Sequence, residues 1–300
     1  MDFIKFIEKF NSEQDVIDYF INIRYNGKIV CPHCKSINEG IYYKRTQPRL
    51  FHCKKCNNTF SIFTGTIFEK SSTDLRKWMY AIHLVLNSKK GISGYQLKRE
   101  IDVTYKTAWR MLKLIRESMK DNLAKDLFSS IIEMDETYVG GKPRKEKSEI
   151  KNKRGRGTKK TPVIGMIDRN SKKVKAQVAE KNKDGKKLSG KQLMKIIEDN
   201  LLPNSTIITD EFSGYNRLNR SNKYSHHVID HSKDYCIGNI HTNNIESFWA
   251  TLKRGIYGIY HHISVKHMDK YLNEFTFRYN NRDRKDIFDL LVKQTILAGE

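Results

Sequence analysis

Three acidic residues, Asp135, Asp210 and Glu246, are the side chains of this sequence best suited to do chemistry. Asp135 lies in an apolar stretch at 130–139, Asp210 ends the run TIITD, and Glu246 stands in HTNNIESFWATLKRG. Carboxylates that meet in space can hold two divalent ions ~3.5–4 Å apart, which stabilise both the attacking and the leaving oxygen when a phosphodiester is cut. Oxygen ligands suit Mg²⁺ or Mn²⁺ better than zinc. The three acids therefore predict a Mg²⁺ or Mn²⁺ site that acts on nucleic acid.

Each of these acids also has a purely structural interpretation. Asp210 could form a turn at the end of its strand, where Asp is common. Asn243 and Glu246 could form a capping box at the start of a helix. Asp135 is harder to explain in this way, because an acid inside an apolar strand is costly unless it is paired or bound to a metal.

Helix and strand periodicity indicates which residues lie on the same face as these acids. Lys253 lies seven positions after Glu246, which is ~700° along a helix, so both share one face and Lys253 could contact substrate phosphate. It could equally be one more solvated base. Along the strand, alternation predicts Glu133 on the same face as Asp135 and Glu136 on the opposite face.

Four of the five cysteines form two pairs, Cys31-Pro-His-Cys34 and Cys53-Lys-Lys-Cys56. Two such knuckles at this separation match the spacing of a four-cysteine zinc site, in which the thiolates complete a tetrahedron. Disulfides or two redox motifs are the alternatives. A site closed by four cysteines has no open position, so we predict a structural Zn²⁺ that holds the fold and does no chemistry.

The composition favours a polyanionic partner. Lys and Arg number 56 against 34 Asp and Glu, a formal charge of +22. Such self-repulsion is relieved by nucleic acid. No apolar run approaches the ~20 residues needed to cross a bilayer. We therefore expect a cytoplasmic, nucleoid-associated protein that binds double-stranded DNA and no membrane.

The first part of the chain contains elements that could hold DNA. We predict an N-terminal helical segment at 1–28, a zinc ribbon at 29–70 and a helix-turn-helix region at 71–126. The second helix of that region would enter the major groove through its N-terminal residues. These predicted DNA-binding residues are Thr104, Tyr105, Lys106 and Arg110. The alternative is an ordinary helical hairpin.

The ribbon also interleaves aromatic and basic residues. Such a pattern on short strands suits a surface that lies along phosphates. The alternative is that the aromatic side chains pack against the zinc knuckles. The aromatic residues are Tyr42, Tyr43, Phe51, Phe60 and Phe63, and the bases are Lys44, Arg45, Arg49, Lys54 and Lys55.

The second part, residues 127–300, has the element order of a ribonuclease H-like α/β domain: three strands, a helix, a strand, and further elements. We predict a mixed five-stranded sheet, so the fold class is multidomain, with the zinc ribbon and helix-turn-helix preceding this domain. A basic loop at 142–160 interrupts it, with ten Lys or Arg and two acids. Predicted DNA-binding residues in this part are Lys142, Arg144, Lys153, Arg154, Arg156, Lys253 and Arg254.

Five motifs resemble one known family, the DDE transposases of bacterial insertion sequences, in the ISXO-type group. They are CPHC, FHCKKCNNTFSIFTGTIFE, MDETYVGGK, TDEFSGY and HTNNIESFWATLKRGIYGIYHHIS. The resemblance implies a zinc ribbon, a helix-turn-helix segment and a ribonuclease H-like core that cuts element ends and joins them to target DNA. It also implies Mg²⁺ dependence and a synaptic homodimer or higher oligomer.

Carried over by motif, the resemblance implies that Asp135, Asp210 and Glu246 are metal ligands and that Lys253 is the base following the third acid. Members of the group have either Asn or Glu as the third signature residue. We choose Glu246, because a carboxylate holds a divalent ion far better than an amide. Asn243 remains a candidate for contacting substrate or supporting a ligand.

Other interpretations stay open. A non-catalytic DNA-binding regulator derived from a transposase would keep the ribbon and the helix-turn-helix, and a nuclease without joining activity would use the same acids. A second cluster could suggest another zinc site, but its spacings fit no standard knuckle. Its members are His226, His227, His231, Cys236 and His241.

Overall fold

A computed structural model of the chain describes residues 1–37, 41–44, 47–120, 126–140, 160–179, 188–229 and 240–297. The chain divides into two units. The first comprises Met1–Met119 together with Asp283–Glu300, and the second is Lys120–Arg282. The expected catalytic domain at 127–300 therefore differs from the second unit at its C-terminal end.

The first unit begins with helices and the ribbon. Its helices are α1 (Phe3–Lys9) and α2 (Glu13–Tyr25), and its strands are β1 (Ile41–Lys44), β2 (Gln47–Cys53) and β3 (Asn58–Ser61). The three strands form an antiparallel sheet in the order β1-β2-β3. A capping box between Ser12 and Asp15 starts α2. Local capping thus defines the start of α2.

The ribbon's aromatic residues take the packing interpretation wherever their side chains are described. Phe51 and Phe60 are buried and stack with ring centroids 5.9 Å apart. Phe63 is buried edge-on against Phe20, at 5.2 Å. Arg49 donates to Glu13 and so joins the ribbon to α2. These side chains stabilise the ribbon and are not free to contact DNA.

Three further helices give the predicted helix-turn-helix layout. They are α3 (Leu75–Asn87), α4 (Gly94–Ile101) and α5 (Tyr105–Ser118), with N-caps at Asp74, Ser93 and Thr104. The turn between α4 and α5 passes through Asp102, whose φ of 48° is left-handed. A C-terminal helix, α9 (Ile287–Leu297), packs against α2, α3 and α5. Its Phe288 is buried beside Phe6 and Phe10, which is why Asp283–Glu300 belongs to the first unit.

The second unit is built on a mixed five-stranded sheet. The strands are β4 (Ile131–Val139), β5 (Thr161–Asp168), β6 (Lys173–Val178), β7 (Thr206–Asp210) and β8 (Ser225–Ile229). Their order is β6-β5-β4-β7-β8. Strands β4, β5 and β6 pair antiparallel, whereas β7 runs parallel to both β4 and β8. The predicted mixed five-stranded sheet is confirmed.

Helices cover both faces of this sheet. They are α6 (Gly190–Asn200), a 3₁₀ helix (Ser213–Arg220), α7 (Asn243–Gly255), which continues into a π-helical turn (Ile256–Tyr260), and α8 (Met268–Asn280). One apolar core joins α6 to Ile132 and Met134. The other joins α7 and α8 to Val163 and Ile167. Strand β4 therefore lies between the two cores. Its alternate side chains face α6 on one side of the sheet and α7 on the other.

Among the described residues, none of the helices is both long and apolar enough to cross a membrane.

Candidate metal centre

Strand pairing brings the first two predicted acids together. In the parallel pair β4–β7, Glu133 lies opposite Ile208, and the same offset places Asp135 level with Asp210. Asp210 ends β7, so its side chain lies at the carboxyl edge of the parallel strands, where α/β sheets collect their sites. Asp210 also accepts a hydrogen bond from the Phe212 amide at 3.0 Å, so the turn interpretation holds alongside the site.

Three carboxylates meet at this edge. One oxygen from each of Asp135, Glu136 and Asp210 lies within 4.8 Å of the others. Glu136, which alternation assigns to the opposite face, is buried and accepts a hydrogen bond from the Tyr215 hydroxyl at 3.2 Å. Its carboxylate nevertheless reaches the other two. Sequence reasoning missed Glu136, and its adjacency to Asp135 was the only available signal.

Glu246 lies beside this cluster and is not one of its three members. Its carboxylate accepts a hydrogen bond from Thr242 at 2.9 Å, and its charge helps to raise the pKa of Asp135. The capping-box interpretation is wrong, because the N-cap of α7 is Thr242, which makes no capping bond, and Asn243 is the first helical residue. Asn243 is exposed at that helix start.

Electrostatics at the cluster favour a cation. Burial, together with the charges of Glu136, Asp210 and Glu246, raises the pKa of Asp135 to about 7, against a lowering by the Glu136 amide. The acids therefore repel one another, and a divalent ion would relieve that repulsion. An all-carboxylate donor set with this unbalanced charge fits Mg²⁺ or Mn²⁺.

The raised pKa gives a pH dependence for ion binding. Below about 7 Asp135 is protonated, so a divalent ion must displace a proton and binds more weakly. We expect Mn²⁺ affinity to rise ~10-fold per pH unit up to about pH 7 and then to level off. Calorimetric titration between about pH 5.5 and 8.5 measures this. Equal affinity at both ends of that range would contradict it.

The predicted phosphate-contacting bases lie further along α7. Lys253 and Arg254 are both exposed, two turns after Glu246, and Arg254 contacts the Thr251 hydroxyl at 3.4 Å. Helical periodicity places Lys253 on the same face of α7 as Glu246, and its contact with phosphate stays a prediction.

The predicted recognition helix presents its bases to solvent. Thr104 caps α5 by accepting from the Thr107 amide, and Tyr105, Lys106 and Arg110 are exposed. Arg110 donates to the Glu69 carbonyl at 3.4 Å. The predicted loop residues Lys142, Arg144, Lys153, Arg154 and Arg156 lie outside the described residues.

A separate site is formed by the four ribbon cysteines. Their sulfurs lie within 4.8 Å of one another, with Cys31–Cys56 at 3.7 Å and Cys34–Cys53 at 3.6 Å. The edge of a tetrahedron with Zn–S bonds of ~2.3 Å is ~3.8 Å, so the four sulfurs fit zinc. All four are free cysteines, which excludes the disulfide alternative for them.

The zinc knuckles are shaped by the backbone around them. Lys35 and Asn57, each directly after a second cysteine, have φ of 59° and 57°. The left-handed backbone at each of these two residues turns the chain back towards the sulfurs. The Ser36 hydroxyl lies 3.3 Å from the Cys53 sulfur, and together with backbone amides it lowers the pKa of that thiol to about 6. A thiolate is the form that binds metal.

The second histidine and cysteine cluster is only partly described. His231 and Cys236 lie outside the described residues. His226 contacts Thr209 at 2.9 Å, and His241 lies 3.3 Å from Glu133. His226 and His241 therefore each contact a residue of the second unit, and His227 is exposed.

Comparisons with known proteins agree on one family. A model described as the ISXO2-like transposase domain matches residues 128–280, and one described as a transposase zinc-ribbon domain matches residues 11–59, which include all four ribbon cysteines. An uncharacterised protein in the transposable element ISH50 of Halobacterium salinarum is 28% identical over 282 residues, covering 91% of this chain and 92% of that protein. An uncharacterised transposase-like protein of Haemophilus influenzae is 32% identical over 99 residues, covering 33% of this chain and 79% of that protein.

The comparison with solved structures gives a weaker likeness. The match to a chain in the crystal structure of the Mos1 strand transfer complex covers 74% of this chain and 78% of the Mos1 chain. The identity is 13% and the TM-score 0.30, too low for the overlap to establish a shared fold by itself.

Proposed function

The chain belongs to the family of ISXO2-like transposases, and we propose that it binds the ends of its insertion sequence, cuts a DNA strand there and joins that strand to target DNA. The observation that carries the catalytic part is the meeting of the Asp135 and Asp210 carboxylates within 4.8 Å, with Asp135 destabilised as an anion. A cluster of this kind is poised for divalent ions. Family membership supplies the reaction class.

The proposed reaction is two in-line displacements at phosphorus. Water attacks the phosphodiester at the element end, a P–O bond forms, and the bond to the 3′ oxygen breaks to leave a 3′-OH. That hydroxyl then attacks a target phosphodiester, and the target's own 3′ oxygen leaves. Each step forms and breaks one P–O bond, so no external energy source is needed.

The chain's own residues have distinct proposed roles. Asp135 and Asp210 would hold Mg²⁺ or Mn²⁺ from the sheet edge, and Glu246 would do so from α7. When bound, such an ion pair neutralises charge on the attacking and leaving oxygens. Lys253 contacts a substrate phosphate beside the acids. Zn²⁺ bound by the ribbon cysteines maintains the fold of the N-terminal unit.

DNA binding is proposed for the exposed start of α5 and for the basic loop at 142–160. The charge of +22 supports a sequence-independent attraction to duplex DNA. Two element ends have to be cut and joined together, so we propose a homodimer or higher oligomer when DNA is bound.

The test is a cleavage and joining assay with the full chain. Duplex DNA carrying the sequences that flank its gene is incubated with Mn²⁺, and nicked and joined products are resolved on a sequencing gel. We expect a new 3′-OH at the element end and a joined product, both lost in Asp210→Ala. Asp199→Ala is the matched control, because Asp199 is an exposed acid on α6, away from the cluster.

Other outcomes would contradict this proposal in specific ways. Specific binding of the ends without cleavage would favour the DNA-binding regulator. Cleavage without a joined product would favour a nuclease. Equal activity of Asp210→Ala and the wild type would place the chemistry elsewhere.

A further inference from the structure

Glu133 is a buried carboxylate that the proposed chemistry does not use. It lies on β4 two residues before Asp135, on the same face, and is fully buried. Arg169 donates to its Oε1 at 2.7 Å and also donates to the His241 carbonyl at 2.7 Å. Its charge is therefore already balanced inside the protein, which separates it from the acids of the cluster.

The same carboxylate caps helix α7. Glu133 Oε2 accepts from the backbone amides of Asn244 at 2.9 Å and Ile245 at 3.2 Å, and Oε1 accepts from the Asn244 side chain at 2.7 Å. The helix's own N-cap, Thr242, makes no capping bond. A residue from the strand thus supplies the bonds that a helix start needs, and its charge suits the positive end of the helix dipole.

A second close contact lies one turn further along α7. Gly165 of β5 is the cross-strand partner of Asp135. A Cβ at this position would lie 2.5 Å from Trp249 Cζ2 and 2.8 Å from Ile245 Cδ1. Only glycine lets α7 pack this near the sheet.

Between these two contacts stands Glu246. Ile245 directly precedes it, Trp249 follows three residues later, and the Thr242 hydroxyl donates to its carboxylate at 2.9 Å. Resting on the proposed function, we propose that Glu133 and Gly165 are positioning residues that set the distance between Glu246 and the Asp135–Asp210 pair, and thereby the affinity of the metal site. Glu133 fixes α7 along the strand, and Gly165 fixes its height above the sheet.

The test measures Mn²⁺ affinity by calorimetry on the full chain, with the thermal midpoint recorded for every variant. We expect Glu133→Gln and Gly165→Ala each to weaken Mn²⁺ binding ~10–100-fold, as is usual when a support of a metal ligand is removed. Asn244→Ala removes one bond at an exposed residue, so it should fold normally and weaken binding less.

Glu274→Gln is the matched control. Glu274 is also fully buried, pairs with Arg278 at 2.8 Å and accepts from the Tyr260 hydroxyl at 3.0 Å, but it lies on α8. It should lower the thermal midpoint without changing Mn²⁺ affinity. This separates a loss of positioning from a general loss of stability.

The outcomes distinguish the alternatives. Wild-type affinity in Gly165→Ala and Asn244→Ala would overturn the inference, and a loss confined to Glu133→Gln would make Glu133 a ligand instead. If Glu133→Gln fails to fold, the other two variants still decide. A wild-type chain that binds no Mn²⁺ would overturn the proposed function itself, and this inference with it.

Discussion

Asp135→Asn is expected to lower the rate of DNA strand cleavage by at least ~10³-fold, because it removes a carboxylate from the point where charge on the reacting oxygens has to be neutralised. Strand joining should fall equally, since both steps use the same acids. Single-turnover cleavage of an end-bearing duplex in Mn²⁺ measures this. DNA affinity should stay near the wild-type value, because Asp135 lies in the sheet and not on α5.

The same substitution should stabilise the ion-free protein, which distinguishes a catalytic defect from unfolding. Asp135 has a folded-state pKa of about 7 against an ordinary value of 3.8. The folded state therefore holds the proton more tightly, and stability falls as the pH rises from 3.8 through about 7. Asn carries no such penalty, so the thermal midpoint above pH 7 should rise. A lower midpoint together with lost cleavage would contradict this explanation.

The variants Glu246→Gln and Asn243→Ala, measured in the same cleavage assay, show which of the two residues is the third metal ligand. If Glu246 is a ligand, its substitution should approach the loss seen with Asp135→Asn, and Asn243→Ala should cost much less. The reverse order would assign the third position to Asn243.

Cys53→Ser is expected to remove zinc from the protein and to unfold the ribbon. Structural zinc sites in zinc-finger peptides contribute ~10–16 kcal/mol of apparent binding free energy at pH 7, far more than a short three-stranded sheet supplies by itself. Elemental analysis should show the zinc content falling from one ion per chain to none. Limited proteolysis should then cut within residues 29–70 and spare Lys120–Arg282.

Cys236→Ser is the control for this prediction. If the four ribbon cysteines are the only zinc ligands, this variant keeps one zinc ion and an intact ribbon. A wild-type zinc content above one ion per chain, reduced by Cys236→Ser, would reveal a second site. Retention of zinc by Cys53→Ser would refute the proposed ligand set.

The residues that could be predicted from the sequence carry their signal in local spacing. The two-residue gap within each cysteine pair predicts a tetrahedral metal site, and the structure brings the four sulfurs together. Asp135 is conspicuous because it interrupts an apolar strand, and Asp210 because it ends one. Their meeting follows from a parallel β4–β7 pair, which the element order of this fold class already predicts.

The remaining features depend on contacts that spacing does not encode. Alternation places the Cβ of Glu136 away from Asp135, but a long side chain at a strand edge can bend round, and its carboxylate joins the cluster. Glu133 caps a helix 111 positions later, which no local pattern indicates. Helix α9 follows the second unit in sequence but packs against α2, α3 and α5 of the first, and only tertiary contacts reveal this.

The return of α9 to the first unit has a consequence for the order in which the protein is made. A ribosome releases Met1–Met119 long before Phe288, so the aromatic cluster around Phe6 and Phe10 stays open until Phe288 has been made. The inserted unit, Lys120–Arg282, is complete earlier and can fold first. A polypeptide terminated before Phe288 would thus acquire its carboxylate-bearing sheet while the first unit remained without a finished core.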